Sequence, residues 1–302
     1  LWGRDPAVMQ AMADTGENHR YLPGQAFDRR LKPVASLRAA LTGVDDVVIA
    51  VPSAVFGELV ARLRNAGMDG LPILIATKGL DHSAGGFLSD VVARSLPRSP
   101  AAILSGPSFA GEVARGLPTA VTIASNRIDT ANHFADAFHG HGFRPYTLLD
   151  PIGVQLSGAV KNVLAVAAGI ADGLGLGANT QAGLITRGLA ELMRLGEAMG
   201  ARAQTFMGLS GVGDIVLTCT DDQSRNRRFG LLLGKGSDIA EAVAQIGQTV
   251  EAVPTARGVL AMAQSYGLEL PICAQVHAVL FDQRSPVDAL EQLMARQRRD
   301  EF

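Results

Sequence analysis

Three short apolar runs mark the first half of the chain. Asp46-Val47-Val48-Ile49-Ala50-Val51 ends at Pro52-Ser53, Pro72-Ile73-Leu74-Ile75-Ala76 ends at Thr77-Lys78-Gly79, and Ala101-Ala102-Ile103-Leu104 ends at Ser105-Gly106-Pro107-Ser108. Their residues are almost continuously apolar instead of alternating with polar ones, which predicts parallel strands covered on both faces. Between them the period changes. Phe56 to Ala66 places Leu59, Val60 and Leu63 on one side of a helix. Strand, helix, strand in repetition predicts an α/β, Rossmann-type doubly wound sheet.

From about Ile152 onward the pattern is helical, with no convincing strand. Leu184, Ile185, Leu189, Leu192 and Met193 form a stripe that stops at Gly200. Ser237 is placed to cap a helix carrying Ile239, Val243 and Ile246 and ending at Gly247. Ser285-Pro286, with Asp288 three residues after the serine, opens a last helix. The boundary is therefore expected within 148–152, giving a dinucleotide-binding domain over 1–150 and an all-α substrate domain over 151–302. Ile152 to Ala171 is long and apolar, but it contains Gln155, Ser157, Lys161 and Asn162. A lysine at the centre of a membrane span costs about 2.5–3.5 kcal/mol, so a buried helix of a soluble domain is the better reading.

Composition narrows the partners. The formal net charge of −2 supplies no basic footprint, which argues against nucleic acid. Cys219 and Cys273 are the only cysteines, so no disulfide framework is implied and a reducing cytoplasm is the default compartment. The histidines, His139 and His141 included, show no metal-ligand spacing. The opening LWGRDP turns polar too soon for a signal peptide.

Leu1-Trp2-Gly3-Arg4 reads as the end of a further strand, at the position that meets the adenosine ribose in dinucleotide-binding folds. An arginine there accommodates a 2′-phosphate and so points to NADP; a solvated surface arginine is the alternative reading of Arg4. The glycine-rich fingerprint belongs roughly 20 residues upstream of that position, and the sequence does not contain it. The expectation is a native N-terminal segment carrying the first, central strand and the glycine loop. Without that strand, two strands would be cut off from the other three.

In an open α/β sheet, ligands bind beyond the carboxyl ends of the strands. The turns VPS, TKG and SGPS would line one such edge, with Lys78 projecting from the second, although the same residues also make ordinary loops. Lys161 is the sole charge in VQLSGAVKNVLAVAAGI, and its helical neighbours Ser157, Gly158, Leu164 and Ala165 are small or apolar. An ammonium placed there must snorkel to water, find a carboxylate, or lose its proton more easily. Desolvation that lowers the pKa toward the working pH is how a lysine becomes a proton donor.

Asp214, in the glycine-bounded stretch GVGDIVLT, is a candidate partner, with Thr218 one helical turn further along the same side. A plain helix cap is the competing reading. DDQSRNRR leads into the apolar Phe229–Leu233 and reads as a helix N-terminus, where free N–H groups and the dipole attract an anion. Ser224, Arg225 and Asn226 there can grip a phosphate, the alternative being a capped helix start with surface arginines. Cys219 has no histidine near it in sequence and reads as a buried structural thiol.

Seven segments carry a resemblance: LWGRDP, VVIAVPS, ATKGLD, SGPSFAGEVARGLPTA, GAVKNVLAVAAGIADGLGLGANTQAGLITRGLAEL, GVGDIVLTCTDDQSRNRRFG and VEAVPTA. Over essentially its whole length the chain resembles the bacterial NAD(P)-dependent glycerol-3-phosphate dehydrogenases. The resemblance implies reversible oxidation of sn-glycerol 3-phosphate to dihydroxyacetone phosphate, a supply of backbone for phospholipids. It implies that Lys161 exchanges the proton at the C2 oxygen, with Asp214 orienting it and Thr218 and Asn162 assisting. It makes Lys78 a second lysine facing both substrate and cofactor. Gly106 and Ser108 would line the substrate site, and Ser224, Arg225 and Asn226 would hold the substrate phosphate. Trp2, Arg4, Lys78, Ala110, Arg225, Thr249 and Glu251 would contact the cofactor, with NADP (NADPH) preferred and NAD as the alternative. The missing glycine loop departs from the family and bears on cofactor binding by this chain.

The expected partner is thus a small-molecule substrate, with no nucleic acid and no membrane span, and a homodimer is one candidate assembly. Two other readings stay open at this point. One is a β-hydroxyacid or 6-phosphogluconate-type dehydrogenase of the same two-domain layout, against which the SRNRR helix start favours a phosphorylated three-carbon substrate. The other is a non-catalytic nucleotide-binding or sensor protein, in which Lys161 and Asp214 would be dispensable.

Overall fold

A computed structural model describes residues 1–81 and 85–297. The helices of the first half are α1 (Pro6–Thr15), α2 (Leu37–Ala40), α3 (Phe56–Asn65), α4 (Leu88–Ser95), α5 (Ala110–Ala114) and α6 (Ile128–Phe138). Its strands are a small antiparallel hairpin, β1 (Glu17–Asn18) with β2 (Leu22–Ala26), then β3 (Val47–Ile49), β4 (Ile73–Ile75), β5 (Ala101–Ser105), β6 (Thr119–Ala124) and β7 (Phe143–Leu148). The last five form one sheet in chain order, parallel throughout except where β5 meets β6. The three apolar runs are β3, β4 and β5, and as parallel neighbours they turn at one common edge. Ile49, Ile73, Ile75 and Ile103 of these strands pack with Phe56, Leu59, Val60 and Leu63 of α3.

The sheet differs from the expectation in two ways. β6 and β7 are strands that the periodicity did not announce. TAVTIA mixes threonine with small residues and FRPYTL alternates, because β7 has a half-exposed, polar outer face. Leu1–Arg4 makes no full strand: Trp2 pairs with Val34 through a single parallel bridge, apart from the five-stranded sheet. Trp2 Nε1 donates to the Ala35 carbonyl (3.0 Å), and the Arg62 guanidinium lies over the indole.

After β7 every described element is helical: α7 (Pro151–Gly173), α8 (Gly177–Ala198), α9 (Ala203–Phe206), α10 (Asp214–Thr220), α11 (Arg225–Gly234), α12 (Ile239–Ile246), α13 (Ala252–Ser265), α14 (Pro271–Phe281) and α15 (Pro286–Met294). The caps mostly follow the sequence. Ser285 accepts from the Asp288 N–H and opens α15, whereas α12 is capped by Asp238 and not Ser237. Asp238 fits because Glu241, three residues on, returns a bond to its backbone N–H.

The axis of this half is α7, buried from Gly153 to Ala171 and packed on α8, α10, α11, α13 and β5. It is long and apolar enough to cross a membrane by length and composition, yet neighbouring helices cover it, which makes it a core helix. Asp150 fixes where it starts. The carboxylate accepts from Gly153 N (2.9 Å), Arg202 N (2.9 Å) and Thr205 Oγ1 (2.6 Å), and Pro151 follows at the first helical position. Gln155 and Ser89 exchange two hydrogen bonds (2.9 and 3.0 Å), tying α7 to the first turn of α4 beside the sheet.

Helix α11 crosses α7 at backbone contact. A Cβ on Gly169 would lie 2.0 Å from the Arg227 carbonyl oxygen, and one on Gly230 would lie 2.2 Å from that of Val166. The Gly169→Ala variant is therefore expected to lose about 1–3 kcal/mol or more in denaturant unfolding. Gly183 on α8, whose added Cβ would meet nothing within 4 Å, provides the contrast. Gly183→Ala should gain up to about 1 kcal/mol from helix propensity. Equal effects at the two positions would contradict this packing.

Candidate active site

The centre of the site is one carboxylate shared by two ammoniums. Lys161 Nζ donates to Asp214 Oδ1 at 2.6 Å and Lys78 Nζ donates to Asp214 Oδ2 at 2.8 Å. Lys161 also donates to Thr218 Oγ1 (3.1 Å), and Lys78 to the Gly106 carbonyl (2.8 Å). Four separate elements deliver these groups: α7, the turn after β4, α10, and the turn after β5. The expectation that Asp214 and Thr218 share a helix face holds, and Asp214 is more than a cap, since both its oxygens are spent on lysines.

Local structure explains how Asp214 comes to face α7. The segment Leu209–Gly213 is a widened helical turn with a kink at Gly211 (φ −90°, ψ −106°). A Cβ there would sit 2.0 Å from the Phe206 carbonyl oxygen, so only glycine lets the chain double back this closely. Asp214 then becomes the first residue of α10, where a carboxylate also complements the helix dipole. Gly106, in the left-handed region at φ +131°, lies against the Val121 backbone and turns its carbonyl to Lys78.

Burial gives the cluster its electrostatics. Lys161 is 8% exposed and Asp214 1% exposed. Desolvation drives the Lys161 ammonium down to about 8, assisted by the charge of Lys78 and opposed by Asp214. For Asp214, burial alone would raise the carboxyl, but the two ammoniums overcome it and hold it below the usual range. With both lysines protonated the cluster carries two positive charges and one negative. The surplus cation suits a site where negative charge gathers on a substrate oxygen. The Cys219 thiol behind it is pushed by burial up to about 12 and is inert, as its sequence context implied.

An amide chain links this centre to α11. Asn162, next to Lys161, donates to the carbonyls of Gly158 (3.4 Å) and Lys78 (3.5 Å). Its oxygen accepts from Asn226 Nδ2 (2.9 Å), and Asn226 Oδ1 accepts from Ala252 N (3.1 Å). The first turn of α11 therefore meets α7 directly beside the buried lysine. Ser224 caps α11, accepting from Arg227 N, while Ser108 Oγ donates to Gly106 O (3.0 Å). Arg225 is exposed and bonds Gln248 Oε1 (3.1 Å).

Other expected residues lie around the rim. Glu251 joins the two halves: one oxygen accepts from Ser53 N (3.1 Å) and the other from the Ser53 hydroxyl in the turn after β3. Thr249 is exposed two residues before it, and Ala110 is exposed at the start of α5. Arg4 is exposed and, among the described residues, makes no ion pair. Sequence reasoning missed the Ser53–Glu251 clasp, the Asp150 anchor and the ion pairs of Arg227. The partners that make each of them an anchor are about 50 residues away or more (Arg202 and Thr205 for Asp150, Asp172 for Arg227, Ser53 for Glu251), so no local spacing signals them.

Comparison with known proteins now decides the family. The model of the NAD-dependent glycerol-3-phosphate dehydrogenase N-terminus matches residues 1–131, and that of its C-terminus matches residues 150–291. The chain belongs to the NAD-dependent glycerol-3-phosphate dehydrogenase family. Within this family it is similar to glycerol-3-phosphate dehydrogenase (NAD(P)+) of Thioalkalivibrio sulfidiphilus, with 53% identity covering 100% of this chain and 91% of the relative. The protein of the same name from Nitrosococcus oceani is 50% identical, covering 100% and 88%. Among solved structures, glycerol-3-phosphate dehydrogenase from Coxiella burnetii superposes with a TM-score of 0.95 at 45% identity, covering 98% of this chain and 91% of that one. The Rossmann-type sheet followed by a helical region is thus the architecture of a glycerol-3-phosphate dehydrogenase.

Asp214 carries the most charge compensation of any residue in the cluster. Asp214→Ala is expected to destabilise the protein by about 3–5 kcal/mol, since it strands two ammoniums. The loss should be largest between the acid range, where the wild-type carboxylate itself becomes protonated, and about pH 8, where the Lys161 proton leaves, and should shrink on either side. Urea unfolding across pH checks this, and a loss that does not vary with pH would contradict it.

Proposed function

We propose that this chain catalyses reversible NAD(P)-linked interconversion of dihydroxyacetone phosphate and sn-glycerol 3-phosphate, with Lys161 as the group that moves the proton. The observation that carries the assignment is the buried ammonium of Lys161, held between Asp214 and Thr218 at the foot of three strand-end turns. An oxidoreductase acting on a CH–OH group needs such a proton donor. This one lies near neutrality because it is desolvated.

The donor set supports cofactor binding. Arg4 and Arg225 are exposed and, among the described residues, neither pairs with a carboxylate, so both guanidiniums keep donors for an anionic nucleotide. Arg4 would face a 2′-phosphate, Lys78 and Arg225 the region between cofactor and substrate, and Trp2, Ala110, Thr249 and Glu251 the remaining contacts. On this reading NADPH is preferred over NADH. When bound, the dinucleotide supplies the hydride that reduces the C2 carbonyl carbon.

The chain's own residues do the rest. Ser224, with a hydroxyl proton to give, Arg225 and Asn226 hold the substrate phosphate at the N-terminus of α11, where the helix dipole favours an anion. That grip orients the ketone against the lysines, using binding energy remote from the reacting carbon. Gly106 and Ser108 border the substrate. Lys78 stabilises negative charge developing on the C2 oxygen. Lys161 donates its proton to the same oxygen and becomes a neutral amine. In the reverse direction that amine takes the hydroxyl proton.

Asp214 keeps both lysines aimed, and Asn162 fixes α11 beside them. We divide the chain into a cofactor half, 1–150, and a catalytic half, 151–302. The two buried free thiols fit a reducing cytoplasm.

Lys161→Ala in the full-length protein should lower kcat by about 10²–10⁴-fold, with NADPH affinity retained. In the wild type, ketone reduction requires protonated Lys161 and should fall as pH rises through about 8, whereas alcohol oxidation requires the neutral amine and should rise through the same value. A reduction rate that climbs above that pH would reject the assigned role. Arg4→Ala should raise the KM for NADPH by about 10-fold or more, the loss of one charge-assisted contact, and leave that for NADH nearly unchanged. Equal effects on both cofactors would reject the 2′-phosphate reading.

A further inference from the structure

Arg227 stands in the first turn of α11, where a positive charge opposes the helix dipole. Its side chain is nevertheless only 13% exposed. The guanidinium serves three partners at once. Nη2 donates to Asp172 Oδ2 at the end of α7 (2.6 Å), Nε to the Cys219 carbonyl in the last turn of α10 (3.0 Å), and Nη1 to Asp222 in the connecting turn. Gln181 of α8 braces two of the same acceptors, donating to Asp172 Oδ2 (3.4 Å) and the Cys219 carbonyl (3.2 Å).

These contacts enclose the segment that links the two functional parts of the helical half. Asp214 and Thr218 lie on α10 just before Cys219, and Ser224, Arg225 and Asn226 follow the turn. Arg227 N also donates to Ser224 Oγ, and its carbonyl is the atom against which Gly169 of α7 packs. One side chain therefore sets where α10 ends, how the turn runs, and where α11 begins. It also neutralises carboxylates at Asp172 and Asp222 that would otherwise repel a phosphate dianion.

We propose that Arg227 is a positioning residue for recognition of the substrate phosphate, acting through the α10–α11 turn without touching the substrate. The inference rests on the assignment of Ser224, Arg225 and Asn226 to the phosphate made above. A brace for the phosphate grip matters only to substrates that carry a phosphate. A brace for the fold as a whole matters to every substrate.

The test compares dihydroxyacetone phosphate with unphosphorylated dihydroxyacetone, using NADPH and the full-length protein. Wild type, Arg227→Gln, Arg227→Lys and Gln181→Ala are assayed for kcat, KM and thermal midpoint. For Arg227→Gln, kcat/KM with dihydroxyacetone phosphate is expected to fall by about 10–100-fold, chiefly through KM, as misplacement of a binding group does. Efficiency with dihydroxyacetone and the pH limb near 8 should hold within about 2-fold of wild type, because the lysine pair is untouched. Gln181→Ala, which leaves every ion pair in place, should show the same selective loss on a smaller scale. Should Arg227→Gln fail to fold, Arg227→Lys and Gln181→Ala carry the comparison.

An equal loss on both substrates, or no loss on either, overturns the proposal. A wild type that does not favour the phosphorylated substrate overturns instead the phosphate assignment on which it rests.

Discussion

The structure depends on a single buried carboxylate accepting from two ammoniums. Asp214 lies between Lys161 and Lys78, at 2.6 and 2.8 Å, in a setting where any one of the three charges alone would be unfavourable. Two cations for one anion leave the cluster electron-poor, and burial denies it water to make up the difference. In the proposed reaction, a substrate oxygen gaining negative charge would complete what the protein leaves unfinished. Function and folding are thus coupled: the same desolvation that makes the charges costly also brings Lys161 into the range where it can exchange a proton.

Holding three charges this closely requires rigid supports from distant parts of the chain. Lys161 rides on α7, which Asp150 caps and Gln155 ties to α4 beside the sheet. Lys78 rides on the β4 turn, and Asn162 reaches its carbonyl. Asp214 rides on α10, redirected by the kink at Gly211. The glycines of α7 and α11 bring those two helices to backbone contact, which seats Asn226 against Asn162 and the N-terminal end of α11 next to the lysine. Each support is packed backbone or a side-chain hydrogen bond.

Much of this was legible in the chain. Continuous apolar runs announced β3, β4 and β5 because strands covered on both faces leave no polar positions to confuse the pattern. A lone lysine in a long apolar helix announced Lys161, since burial of a charge demands a reason. The same logic found Asp214. β6 and β7 were hidden for different reasons: β6 is buried but breaks its apolar run with two threonines, and β7 alternates because one of its faces meets solvent. Arg227 was hidden for a different reason: within SRNRR it looks like the exposed Arg225 and Arg228, and only the fold brings Asp172 and the end of α10 to it. Glu251 was placed by family resemblance, yet its clasp on Ser53 spans the two halves and has no sequence signature.

The central claim is that Lys161 titrates far below an ordinary lysine because it is desolvated beside a second ammonium. Lysine-selective ¹⁵N NMR of the side-chain ammoniums, with Lys161→Arg to assign the resonance, measures this without recourse to turnover. The account predicts one lysine titrating at about 8, well apart from the exposed ones. A Lys161 resonance that titrates together with the surface lysines would contradict it.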